Sequence, residues 1–182
     1  EQIARMWYAI ANDRGEMLKP LYQKLEADFS KLTIEGLGYG DYTVVFLATT
    51  NPESKATINE PEQLSDIWLL NQVAKAPLDD VYFYKKIEVH IGKEQTAESQ
   101  IVTLERCVGK VDIDLHVSSD YMWRFIRKIY ITFDDTEGIY AGLSANGEYS
   151  GTESIESYDI TENRSFYSLP SKEALSGFVT IE

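Results

Sequence analysis

The chain is poor in the residues from which most enzyme chemistry is built. Among its 182 residues there is one cysteine, Cys107, and two histidines, His90 and His116. A single cysteine excludes any disulfide within the chain, so stability must come from packing. Basic residues are also scarce, 17 Lys and Arg against 30 Asp and Glu, and the formal net charge is -13. Nucleic acid and anionic lipid surfaces are repelled by such a charge, and neither is an expected partner. Long apolar runs are missing: the densest, residues 43–48, has the length of a strand and is far short of a bilayer span. Repeats, low-complexity tracts and a linker-like break in composition are likewise absent. One domain covering residues 1–182 is therefore expected, large enough to bury a core without metal or crosslink.

The motif search is equally sparse. No G-x-S-x-G elbow, H-E-x-x-H or dinucleotide fingerprint occurs. Gly36-Leu37-Gly38-Tyr39-Gly40 has the glycines of a phosphate loop but leads into a strand rather than a helix. No catalytic residue, cofactor or metal ligand is assigned, and the chain is expected not to be an enzyme. His90 and His116 sit on polar strand faces without a second ligand at metal spacing. Cys107, beside Arg106, reads as a small core residue rather than an activated thiolate. The acidic pairs Asp79-Asp80 and Asp134-Asp135, with Glu137, fall in expected turns, where aspartate caps backbone groups; calcium ligation is the alternative.

What the sequence does have is period-two patterning. In residues 81–91, Val81, Phe83, Ile87, Val89 and Ile91 share one face, while Tyr82, Tyr84, Lys86, Glu88 and His90 share the other. Residues 124–133 repeat the pattern through Phe125, Ile129, Ile131 and Phe133, before Asp134-Asp135-Thr136-Glu137-Gly138 turns the chain. Residues 42–48 are apolar on both faces, the mark of a central strand covered on both sides. Further strands are expected at 3–11, 164–169 and 177–182.

Residues 101–117 carry the most informative signal. Val102, Leu104 and Val108 occupy even positions, whereas Val111, Ile113, Leu115 and Val117 occupy odd ones. A two-residue period cannot change phase without an extra residue, so a bulge or bend is expected at Gly109, where a long strand leaves one sheet and joins another. The fold class that follows is all-β, a sandwich of about seven or eight strands, with one short helix opened by Pro61-Glu62 and carrying Leu64, Ile67 and Trp68. Residues 18–32 have helical spacing broken by Pro20 and stay ambiguous. Residues 136–158 read as exposed turns with at most one short strand.

Two stretches carry a family resemblance. Residues 34–46, from Ile34-Glu35-Gly36-Leu37 through Tyr42-Thr43-Val44, are similar to the strand entry of transthyretin-like β-sandwiches, a glycine turn followed by a tyrosine that packs across the sandwich end. Val102-Thr103-Leu104-Glu105-Arg106-Cys107-Val108-Gly109-Lys110-Val111-Asp112-Ile113 resembles a stretch of the fimbrillin-like and fimbrial-anchor lipoproteins of Bacteroides-type bacteria, and Leu169-Pro170-Ser171 before a last strand fits the same pattern. Cys107 and Gly109 stand where that family more often has other small residues. The resemblance implies a transthyretin-like sandwich, export to the cell surface or outer membrane, and a lipid anchor upstream as the sole membrane attachment. Its partners would be related or identical fimbrial subunits, met through strand edges. The first residue is Glu1 rather than Met, and the family commonly has two sandwiches, so one module of a longer precursor is expected. The alternative function is binding of host or bacterial surface glycans through Tyr121 and Trp123, aromatics that otherwise plug one end of the sandwich.

Overall fold

The computed structural model describes residues 2–24, 29–54, 63–71, 78, 80–94, 99–116, 119, 123–133, 139–153, 157–162, 164–171, 174 and 176–182. The fold is all-β and built around a five-stranded antiparallel sheet. Its strands are β1 (Arg5–Asn12), β2 (Met17–Lys24), β3 (Gly40–Thr49), β5 (Tyr82–Ile91) and β6 (Glu105–Arg106), in the order β2-β1-β3-β5-β6. β4 (Trp68–Asn71) lies between β3 and β5 in sequence but pairs elsewhere. β3 pairs without interruption with β1, from Arg5 opposite Thr49 to Asn12 opposite Tyr42, and with β5 from Gly40 opposite Ile91 to Thr49 opposite Tyr82.

Alternation along these strands feeds two cores. Trp7, Ala9, Ala11, Val45 and Leu47 point inward to the larger cluster, while Met6, Ile10, Val44, Phe46 and Ala48 point outward to a second. Residues 44–49 are all buried, as the two-sided apolarity of 42–48 requires. The inner core is closed by three smaller sheets. One is β10 (Tyr149–Glu153), β9 (Ile139–Ser144) and β4. Another is β11 (Tyr158–Asp159), β8 (Ile129–Phe133) and β13 (Gly177–Ile181). The third pairs β12 (Ser165–Ser168) with β7 (Gly109–Asp112). Leu69, Ile129, Leu143, Tyr158 and Phe166 bring these sheets into the same core. The outer core is covered by irregular backbone: Phe29, Leu32, Ile34 and Leu37 from one segment, Val102 and Leu104 from another.

The phase change within 101–117 is the crossing between these cores. Val102 and Leu104 pack on the outer face, β6 pairs with β5, and then Cys107 and Val108 are buried in succession in the inner core. β7 starts at Gly109 and pairs with β12, and Val111, Ile113 and Leu115 now pack against the inner core. Two adjacent inward residues are the extra step that a period of two needs in order to change phase.

Several expectations are corrected. The described residues contain thirteen strands, not seven or eight, because the second layer is built from short pieces. The expected helix is a single 3-10 turn, Leu64–Asp66; it buries Leu64, Ile67 follows it into the core, and Trp68 already belongs to β4. The stretch 18–32 opens as β2, an edge strand, where Pro20 removes no ladder bond that a second neighbour needs; Tyr8 pairs with Tyr22 and Ile10 with Lys19, so β2 bulges at the proline. The described residues of 136–158 hold β9, β10 and the start of β11, with turn structure only at 145–147 between β9 and β10. The strand expected over 124–133 begins at Ile129, because a turn closed by the Ile126 N–H on the Trp123 carbonyl (3.3 Å) occupies its first half and leaves Phe125 exposed. The turn expected at 134–138 lies outside the described residues.

On β5, Phe83, Ile87 and Val89 pack on the outer core as patterned, but two tyrosines assigned to the polar face serve the inner one. Tyr82 is buried, with its hydroxyl 2.5 Å from Ser54 Oγ. The Tyr84 hydroxyl donates to the Ala145 carbonyl (2.9 Å), and burial pushes its pKa up to about 12. Tyr149 donates to the Cys107 carbonyl (3.1 Å) and stacks on Tyr140. These hydroxyls tie the β9–β10 hairpin to the first sheet. The hairpin turn depends on Gly147, with φ +84° and a position at which a Cβ would stand 2.9 Å from the Tyr84 hydroxyl oxygen. Gly147→Ala is expected to destabilise the fold by about 1–3 kcal/mol, through left-handed strain and displacement of Tyr84. Urea unfolding followed by tyrosine fluorescence checks it.

Candidate functional site

Four of the groups singled out in the sequence as possible site residues lie among the described residues. Cys107 is buried beside Val108, and burial pushes its thiol up to about 12, so it stays neutral at physiological pH. His90 lies on the exposed surface with Nδ1 2.6 Å from Asp41 Oδ1, its cross-strand partner. His116 is exposed, 3.1 Å from Asp114. Asp80 accepts bonds from the Thr50 hydroxyl (3.0 Å) and the Val81 N–H (2.6 Å), the capping role expected of a turn aspartate. Asp79, Asp134, Asp135 and Glu137 lie outside the described residues.

The two aromatics singled out for ligand binding fare differently. Tyr121 lies outside the described residues. Trp123 is half-buried and packs on the inner core, and the Arg164 guanidinium lies over its ring, 4.4 Å from the centroid. One face of the indole is thus occupied by a cation from the segment leading into β12.

The surface that stands out is a sheet edge. Among the described residues β13 pairs with β8 alone, from Gly177 opposite Phe133 to Ile181 opposite Ile129. Directly opposed residues of an antiparallel pair point to the same side. Val179 and Ile181 therefore lie on the core side, beside Ile131 and Ile129, yet they are 36% and 48% exposed. Phe178, on the opposite side, is 55% exposed. β8 reaches the core and β13 overhangs it. Gly177 lets the strands meet, since a Cβ there would collide with the Thr132 carbonyl oxygen.

Several of the other edges among the described residues carry a guard. β2 carries Lys19, Pro20 and two register shifts, β6 and β11 are two residues long, and β4 is interrupted by a register shift. Each of these is a device that discourages pairing with another chain. β13, with the sequence Gly-Phe-Val-Thr-Ile, has no charge, no proline and no bulge in its pairing with β8. Beside it lies a shallow polar depression lined by Arg127, Lys128, Asp159, Thr161 and Glu162. There the Asp159 carboxyl is held below its usual range, first by the Thr161 hydroxyl and backbone N–H and then by Lys128, while the Lys128 ammonium is held up first by the Tyr130 hydroxyl. The strand itself was legible in the sequence as the uncharged stretch 177–181; its exposure was not, because that depends on where β8 meets the core.

No family model matches the chain, and no curated protein matches it in sequence. Solved structures do match its fold. A candidate polysaccharide-binding protein of Bacteroides thetaiotaomicron superposes with a TM-score of 0.63 at 11% identity, over 100% of this chain and 69% of that one. A fimbrial assembly protein of Parabacteroides distasonis gives 0.55 at 13% identity, over 100% and 74%. The fimbrial anchor protein Mfa2 of Porphyromonas gingivalis gives 0.51 at 11%, over 99% and 69%. A candidate adhesin of Bacteroides ovatus, of whose length the chain covers 66%, shares the fold as well. The chain therefore spans about two thirds of the length of these proteins, and the fold expected from the resemblance is the one found. At such identities the likeness is one of fold.

The burial of Cys107 has a measurable consequence. At pH 8 its thiolate fraction is on the order of a thousandfold below that of an exposed cysteine. Iodoacetamide is expected to leave Cys107 unmodified in the native protein and to alkylate it promptly in 8 M urea (about the usual unfolding concentration); mass spectrometry reads both. Prompt native alkylation would contradict its placement in the core.

Proposed function

We propose that this chain is a non-catalytic structural or adhesive module of bacterial surface fimbriae, exported and joined to related or identical subunits through the edge of β13. The observation that carries the reading is the contrast between edges: Val179 and Ile181 prolong the core side of β8 past the core itself, on a strand that lacks the guards of β2, β4, β6 and β11. A strand added there gains main-chain hydrogen bonds, and its alternate side chains cover Val179 and Ile181 on one side or Phe178 on the other. Burying those three side chains is worth roughly 1.5–3 kcal/mol each if complete, enough to drive association that is weak per contact and strong in an array. The fold shared with fimbrial assembly and anchor proteins supports the same reading. So does the acidic surface, which discourages unspecific collapse between copies while leaving a neutral edge available.

A second reading, glycan binding, is supported by the name of the candidate polysaccharide-binding protein that shares the fold. The two are compatible, since adhesive modules of a filament can both assemble and bind.

Replacing Val179 and Ile181 together by lysine places two charges on the edge without replacing a buried residue. The wild type is expected to form chemically crosslinkable oligomers that grow with concentration, and the double variant to remain monomeric with its thermal midpoint within a few degrees of wild type. Oligomers that persist unchanged in the double variant would overturn the assignment to β13, and a wild type that stays monomeric alone and with fimbrial subunits from the same source would overturn the assembly reading.

A further inference from the structure

The outer face of the first sheet carries a feature that assembly through β13 does not use. Residues 32–38 cross that face as irregular backbone, held down by Leu32, Ile34 and Leu37. Among the described residues no backbone hydrogen bond ties this strap to the sheet; its far end is pinned by the Tyr42 hydroxyl, which donates to the Gly38 carbonyl (3.1 Å). Between Ile34 and Leu37 the strap turns at Gly36, φ +80°, where no atom stands within 4 Å of a would-be Cβ. The turn is thus lifted from the sheet, and on the other side β2 bulges away from β1. A cleft of about 340 Å³ is left between them.

Its lining is chemically divided. Tyr8 and Ile10 of β1 and Tyr42 of β3 contribute the sheet surface, and Leu18 of β2 stands at the side, 41% exposed. The strap contributes Thr33 and Glu35, both exposed, beside Gly36 and Gly38. Aromatic and aliphatic surface therefore faces a hydroxyl, a carboxylate and glycine backbone across a space within the range of small-ligand sites. Glu35 is the one charged group among the described lining residues, and it belongs to a chain of net charge -13. An anionic ligand, whether a phosphate, a fatty acid or a sialylated or sulfated sugar, meets the Glu35 carboxylate with no cation among the described lining residues to offset it. An added peptide strand finds a bulged edge on one side and a strap without a ladder on the other. A ligand suited to both halves is neutral, rich in hydroxyl donors and apolar on one side of its ring.

Resting on the glycan-binding reading above, we propose that this cleft binds one neutral pyranose unit of a surface glycan. Tyr8 and Tyr42 supply the apolar platform, Leu18 closes the side, and Glu35 with Thr33 accepts hydrogen bonds from the sugar hydroxyls. The site is separate from Trp123, whose ring is already covered by Arg164.

The test is an array of immobilised gluco-, manno-, galacto- and N-acetylglucosamine oligosaccharides beside sialylated and sulfated counterparts, probed with wild type, Leu18→Arg, Glu35→Gln and Trp123→Ala. Wild type is expected to bind one or more neutral members and to bind the anionic counterparts at least about tenfold less. Leu18→Arg, which fills the mouth from an exposed position, and Glu35→Gln, which removes a charge-assisted acceptor, are each expected to weaken binding about tenfold with unchanged thermal midpoints, and Trp123→Ala to leave it unaltered. Binding that survives both cleft variants, or is lost on Trp123→Ala alone, overturns the cleft assignment while keeping the glycan reading. A preference for sialylated or sulfated members overturns the proposed selectivity and with it the proposal. A wild type that binds no member overturns the glycan reading as well, and leaves assembly through β13 to stand or fall on its own crosslinking result.

Discussion

From Val44 to Ala48 strand β3 has no polar face, and the rest of the molecule is arranged around that constraint. Val44, Phe46 and Ala48 must be covered on one side and Val45 and Leu47 on the other. A two-layer sandwich can cover only one of them. The inner side is met in the usual way, by strands, and the three small sheets bring Leu69, Ile129, Leu143 and Phe166 down onto it. The outer side is met by two segments of irregular backbone, whose exposed polar groups can be satisfied by water while their side chains reach the sheet. Both surfaces given a functional reading above arise from this division. The cleft exists because a strap, unlike a strand, does not seal against the sheet. The overhanging edge exists because the second layer is assembled from short pieces, and the last of them extends past the core it helps to close.

The crossing at Cys107 and Val108 joins the two solutions. The chain leaves the outer face after Leu104, passes both side chains into the inner core, and continues as β7 on the far layer. Tyr149 donates to the Cys107 carbonyl at that point, and Tyr84 holds the β9–β10 turn from the neighbouring strand, so the crossing is also where the second layer is fastened to the first. A small residue is needed at 107 because the position is buried amid these aromatics, which explains a cysteine that does no chemistry.

Much of this was legible in the sequence wherever a period of two runs for more than about five residues. The two-sided apolarity of 42–48 marks the central strand, and the change of parity between Leu104 and Val111 marks the crossing. Legibility fails where other constraints dominate the pattern. β2 looks helical because Leu18, Leu21, Tyr22 and Leu25 happen to fall at helical spacing, and because proline reads as a breaker unless one knows that the strand is an edge. β9 and β10 are hidden by glycine and serine: Gly142 and Ser144 flank Leu143, the one large apolar side chain that this part of β9 sends into the core. Phe125 was assigned to a strand by parity alone, whereas a local turn at Trp123 decides its place. Tyr82 and Tyr84 were placed on a polar face because a hydroxyl was counted as polar, but each buries its ring and finds Ser54 or the Ala145 carbonyl for the hydroxyl. The candidate surfaces were the least legible, since both depend on how far one element extends beyond another. Tyr8, Leu18, Glu35 and Tyr42 are distant in sequence and mean nothing together until the strap is laid over β1 and β3.

Stability is divided unequally: β3 is the foundation, and β13 is an edge that the described residues leave unpaired on one side. Native-state hydrogen exchange on the isolated protein in dilute denaturant measures that division directly. Amides of residues 44–48 are expected to exchange only by global unfolding, with the full denaturant dependence, while those of residues 178–181 open at a free energy several kcal/mol lower. Equal protection of the two strands in the monomer would mean that β13 is as much a part of the closed core as β3, and would contradict the account.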